Sequence, residues 1–168
     1  VSYGRYSRTG ADSEAAAAGE GEIDPWLRTL SFWNGETPVA ALHSYAVHPM
    51  SYYGGGEVSI DFVGLARERR QKEQPEVFQI YGTGAAGNVT AGKYNDGRRE
   101  NRAFLVDRLH AAMKEAWTAT KRQPLAEVKF HKSQIELGAR DTDEHTEAIL
   151  KRRLETNPTP FARAEAAM

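Results

Sequence analysis

The dipeptide Asn34-Gly35 constrains the fold more than any other short feature of the chain. It is a strong tight-turn signal. The runs on either side, 26–33 and 38–47, are rich in aromatic, β-branched and apolar residues, so the unit reads as a β-hairpin. The first run alternates imperfectly. The second is apolar at most positions, which predicts a strand buried on both faces.

Beyond the hairpin the pattern changes period. A loop over 48–59 carries Pro49 and Gly54-Gly55-Gly56, and Ser59 or Asp61 is placed to cap a following helix. Phe62, Leu65 and Ala66 form the inner side of that helix, and Arg67, Arg69, Arg70 and Lys72 face solvent. A short strand is expected at 77–81, then a loop rich in glycine and alanine over 82–92. A long helix follows at about 98–119, with Leu105, Leu109, Ala112, Met113, Ala116 and Trp117 on one face. A last strand over 126–130, or as far as 137, and a charged helix over 143–155 complete the chain.

This order predicts an α/β fold, a layered mixed sheet flanked by helices, as a partial domain. Segments 38–81 and 77–130 can each form a right-handed crossover. Residues 1–22 are expected as a loop or extended arm, with a helical turn at Ala15 to Ala18. Residues 23–137 form the α/β part, and 138–168 a helical C-terminal segment. Val1 is not methionine and no signal segment follows, so either a signal was removed or the chain begins mid-protein. The end, Phe161 to Met168, reads as a helix cut short, and a fragment is expected.

A net charge of −1 offers no positive field for a phosphate backbone, so nucleic acid is not an expected partner. No apolar run approaches the roughly 18 residues of a membrane-spanning helix. With no cysteine, disulfides, thiolate metal sites and cysteine nucleophiles are excluded.

In a parallel layer, functional loops lie beyond the carboxyl ends of the strands, and the loops after Val47 and Tyr81 hold the chemically distinctive residues. His48 leaves a strand beside Pro49, where imidazole can bind a metal through one nitrogen while a neighbour orients the other. The bland alternative is a loop histidine bonded to backbone, and one histidine is not a zinc site. His43 lies an odd number of residues earlier, hence on the opposite strand face. It reads as a satisfied core histidine, a support for a site, or a donor to substrate. Asp61 is a helix cap or a pocket carboxylate.

Gly82-x-Gly84-x-x-Gly87 matches a dinucleotide fingerprint, but it needs a helix opening directly after it. The stronger reading is a loop whose small residues let backbone approach a ligand, with Asn88 and Thr90 facing a pocket. Asn88-Val89-Thr90 is also formally a glycosylation sequon. Lys93, Tyr94, Asn95 and Asp96 line the mouth of this loop or make the turn after it. His110 is expected at a solvent edge, His131 in the last strand and His145 at the start of the charged helix, all without chemistry.

Two of these segments together resemble the neutral/alkaline ceramidase family. Tyr45-Ala46-Val47-His48, then a loop and Asp61, resembles the family segment in which a buried strand delivers a zinc-binding histidine. Ala86-Gly87-Asn88-Val89-Thr90 resembles the family's AGN-x-S-P-N loop, and the likeness to bacterial members' amino-terminal domain extends over roughly residues 23–120. The resemblance implies an amide hydrolase acting on a ceramide-like or other N-acyl lipid, secreted or periplasmic. It implies zinc held by two histidines, a glutamate and a tyrosine, with a metal-activated water attacking the acyl carbon. His48 would be one zinc ligand; Asn88 and Thr90 would face the amide; His43, Gly87 and Asp61 would line the substrate.

Departures from the family pattern are specific. Thr90 stands for serine, Ala91-Gly92 for Pro-Asn, and His43 for an asparagine. The family's other ligands lie upstream and downstream of the matching segments, so an incomplete zinc site is expected in this chain. A non-catalytic binding or scaffold domain is the competing expectation, with His48 bonded inside the core.

Overall fold

The structure, a computed structural model, describes residues 10–19, 21–52, 58–138, 146–157 and 159. The chain divides into two compact units, 1–124 and 125–168.

The first unit carries the sheet. Strand β1 (Arg28–Asn34) and strand β2 (Thr37–Tyr45) form the expected antiparallel hairpin around Asn34-Gly35. The turn itself is Gly35-Glu36, since Asn34 still pairs with Thr37. Gly35 sits at φ +58° and Asn34 does not have a positive φ, so the turn centre lies one residue beyond Asn34-Gly35. Helix α2 (Asp61–Glu73) then crosses over to strand β3 (Phe78–Thr83), which lies parallel to β2. The result is a three-stranded mixed sheet in the order β1-β2-β3, so the α/β reading holds. Helix α3 (Glu100–Thr118) packs beside α2.

Register decides what each sheet face meets. Thr29, His43 and Tyr81 are in line across the strands, as are Ser31, Ala41 and Gln79, on the face that the helices cover. There Gln71 of α2 joins β3 edgewise, accepting from Gln79 N at 2.9 Å and donating to the Val77 carbonyl at 3.1 Å. Trp33 stacks on Trp117 of α3, ring centroids 5.7 Å apart. The opposite face presents Leu30, Leu42, Ile80, Phe32 and Phe78, of which Leu30, Phe32 and Phe78 are 62%, 49% and 63% exposed. The expectation that the second strand is buried on both faces is therefore corrected. Helices cover one side of this sheet, and a run of apolar residues does not by itself say that both sides are covered.

The core lies between the ends of β2 and helices α2 and α3, where Val47, Phe62, Ala66, Leu105, Leu109 and Met113 cluster. Two residues expected in solvent belong to this interior. Arg70 is only 3% exposed, its guanidinium paired with Glu73 at 3.1 Å and bonded to Gln74. His110 is buried on α3 with its Nε2 3.0 Å from the same Glu73 carboxylate. The shared Glu73 explains both: an anion on the α2–α3 seam lets two cationic or polar groups be buried together. Leu65, expected inside, is 36% exposed.

Helix α1 (Ser13–Ala17) takes up the expected alanine turn, capped by Asp12, whose carboxylate accepts from Ala15 N at 2.8 Å. Residues 1–9 of the expected arm, Gly54 to Gly56, His145 and the segment 160–168 lie outside the described residues.

The last expected strand is not formed. Residues 120–138 have no regular structure, and Leu125, Val128, Phe130, Ile135 and Leu137 are 76% to 89% exposed. The crossover over 77–130 is therefore absent, and His131 lies on an exposed irregular segment. Alternation supplies an apolar stripe, but a strand also needs a ladder partner, and none of the described residues pairs with it. The second unit contains helix α4 (Glu147–Thr156), capped by Thr146 through Ile149 N. No helix of the described residues is long and apolar enough to cross a membrane.

Candidate functional site

Because β2 and β3 run parallel, their following loops must leave from the same edge of the sheet. The two loops are also stitched together. Gly84 N donates to the Tyr45 carbonyl at 3.0 Å, and His48 N donates to the Val89 carbonyl at 2.8 Å. Glycine eases this approach, since a Cβ on residue 84 would lie a tight 3.3 Å from the Ala46 backbone. Among the described residues Gly87 has nothing within 4 Å of such a Cβ, so its small size answers no contact there.

His48 is exposed, and its Nδ1 lies 2.8 Å from the Ala86 carbonyl oxygen. A carbonyl only accepts, so Nδ1 carries a proton, and in the neutral ring Nε2 is the nitrogen with the lone pair. An imidazole turned this way by a backbone carbonyl is oriented as metal-binding histidines usually are. Among the described residues no group of three or more His, Asp or Glu side chains is gathered to hold a metal. His48 thus fits one ligand position, and a full zinc set does not lie among those residues.

Asn88 and Thr90 stand on the same loop and line a cavity of about 530 Å³. Its other walls come from the segment after α1, the end of β2, and α3. The Thr90 hydroxyl accepts from Gly92 N at 3.2 Å, which opens a short 3₁₀ turn at Gly92–Tyr94. His48 itself does not line this cavity. Residues 48 and 90 therefore share one sheet edge and are linked through the Val89 backbone, while the His48 ring rests against Ala86.

The other residues expected at the site are held in the interior. His43 is fully buried and both ring nitrogens are engaged, Nδ1 with the Thr29 hydroxyl at 2.7 Å and Nε2 with Gln79 Oε1 at 3.0 Å. Burial pushes its pKa below the ordinary histidine value, partly offset by the Gln79 bond, with Arg70 adding to the depression. It is the satisfied core histidine and has no nitrogen left for substrate. Asp61 is also buried, with φ +50°, and its carboxylate accepts from Ser51 N at 3.1 and 3.2 Å and from Phe62 N at 2.7 Å. Arg102 approaches it at 3.6 Å, donates to Ser51 Oγ at 2.8 Å, and lies over the Tyr52 ring at 3.1 Å. Asp61 is thus a clamp that fixes the loop after His48, rather than a carboxylate open to ligand. Ser59 supplies a further bond at the helix start, accepting from Asp61 N at 2.9 Å.

Sequence reasoning missed Arg102 and Tyr52 in this clamp, and Arg108 beside the cavity. Tyr81, near the carboxyl end of β3, donates to the Tyr45 carbonyl at 3.3 Å, and burial pushes its pKa up to about 12. The glycines of 82–87 do not open into a helix: only the 3₁₀ turn at Gly92–Tyr94 precedes α3 at Glu100. The structural context that a dinucleotide fingerprint requires is absent. Compared with protein-family models, curated proteins and solved structures, the chain matches none.

Proposed function

We propose that this chain supplies part of a zinc-dependent amide hydrolase resembling the neutral ceramidases, cleaving an N-acyl amide. The observation that carries the reading is the His48 ring, exposed and turned by the Ala86 carbonyl so that Nε2 is left to bind a metal. Bound zinc would supply a water acidified toward neutrality and polarise the acyl carbonyl. His48 would hold one coordination position. The Asn88 amide and the Thr90 hydroxyl would meet the scissile amide as hydrogen-bond partners; their loop is joined to His48 through the Val89 carbonyl, although the cavity they line does not include the His48 ring. The remaining zinc ligands and a secreted or periplasmic setting come with the resemblance and are proposed with it.

The scaffold alternative expects His48 to be bonded inside the core. Its exposure does not fit that expectation, while the bond to the Ala86 carbonyl suits a backbone-bonded loop histidine as well as a metal ligand.

Zinc titration by calorimetry, with the chain and with His48→Ala, tests the proposal. One weak site that disappears in the variant is expected, with circular dichroism unchanged because the side chain makes a single bond at the surface. Identical isotherms for the two proteins would refute it. In the intact protein the same substitution is expected to abolish hydrolysis of an N-acyl amide, and Thr90→Val to reduce it about 10²-fold.

A further inference from the structure

The cavity beside Thr90 has a chemistry of its own. Its floor is apolar, formed by Val47, Phe62, Leu105 and Leu109. The segment that roofs it is tied down at two points: Lys93 Nζ donates to the Ala18 carbonyl at 3.0 Å, and Gly10 N donates to the Asn95 carbonyl at 3.0 Å. On the wall stands Arg108, its guanidinium 4.6 Å from the Tyr94 ring centroid and 5.5 Å from that of Phe104. Among the described residues Arg108 meets aromatic rings but no carboxylate. The lining also holds one carboxylate, Glu22, and the ammonium of Lys93.

We propose that this cavity binds an anionic amphiphile, a single carboxylate on an unbranched apolar tail. A guanidinium stacked on rings keeps its planar fork available for bidentate contact with a carboxylate. The volume of about 530 Å³ falls in the range of small-ligand sites, and the apolar floor matches a tail and not a second polar group. Each methylene buried there tightens binding about fourfold. The inference does not rest on the zinc reading, because His48 lines no part of the cavity.

The test is therefore made with metal chelated. Hexanoate, octanoate, decanoate and the neutral analogue decan-1-ol are titrated into the isotopically labelled chain and followed by amide chemical shifts. Expected are saturable shifts at residues 88–94 and 105–112, affinity rising along the carboxylate series, and a five- to tenfold loss for decanoate in Arg108→Gln with decan-1-ol unaffected. Ala112→Phe, which narrows the cavity, weakens both ligands. The inference is overturned by the absence of saturable binding, by equal decanoate affinity in Arg108→Gln, or by shifts confined to Leu30, Phe32, Phe78 and Ile80 on the open sheet face. Metal binding at His48 is read separately, so either claim can fail alone.

Discussion

Replacing Asp61 by alanine, asparagine and glycine separates the two roles this residue combines. Its carboxylate satisfies the Ser51 and Phe62 N–H groups, both in nearly inaccessible residues, and its φ of +50° is one that side chains with a Cβ adopt at a cost. Leaving a buried donor unsatisfied costs about 1–3 kcal/mol. Two such donors, together with the approach of Arg102 at 3.6 Å, make Asp61→Ala destabilising by about 4 kcal/mol. Asp61→Gly loses the same bonds but not the left-handed penalty of roughly 1–2 kcal/mol, so it should be about 1 kcal/mol more stable than Asp61→Ala. Asp61→Asn tolerates the same φ and keeps one acceptor oxygen, and should cost about 1–2 kcal/mol. Urea unfolding followed by tryptophan fluorescence reads the order. In an ordinary helix the glycine variant would instead be worse than alanine by about 1 kcal/mol. If glycine proves the less stable of the two, the strained-clamp account of Asp61 is wrong.

Two pH dependences follow from buried groups. Tyr81, with its pKa raised to about 12, should remain protonated in a spectrophotometric titration after the exposed tyrosines have ionised. Its unfolded value near 10 is lower, so its contribution to stability is complete below pH 10 and is lost as pH rises toward 12; a Tyr81→Phe variant should not show that loss. His43 is shifted the other way: the folded chain resists its protonation, so the unfolded state binds the proton first as pH falls below about 6.5. Stability should therefore decline below neutrality, and less steeply in His43→Gln; an unchanged slope in denaturation midpoints between pH 7 and 5 would show that His43 titrates as in the unfolded chain.

What the sequence revealed of the fold was whatever local chemistry decides. Asn34-Gly35 marks the hairpin because Gly35 accepts the left-handed conformation that opens the tight turn, although the turn centre is Gly35-Glu36. The β2–α2–β3 crossover follows from short connections and the change of period. Arg70 and His110 were misplaced because their burial depends on Glu73, a partner that helical spacing on either element alone does not reveal. The strand expected over 126–137 failed for a similar reason: alternation is a property of one segment, and a ladder is a property of two.

The candidate site divides along the same line. Once β2 and β3 are parallel neighbours, His48 and Thr90 must come to one edge, whatever occupies the intervening chain, so their proximity was readable from the order of elements. The direction of each side chain was not. His48 is aimed by a carbonyl 38 residues away, and Asp61 is taken out of the site by Ser51, ten residues back, with Arg102 closing the clamp. Arg108 gains its place on the cavity wall only because α3 packs across the end of β2 and Tyr94 lies beneath its guanidinium. A cation that, among the described residues, meets rings and no carboxylate on the wall of an apolar hollow is a tertiary fact, and it carries chemistry that the short motifs around it do not encode. For that reason the Arg108→Gln titration, more than any variant of the glycine loop, discriminates a cavity shaped for a ligand from one left by imperfect packing.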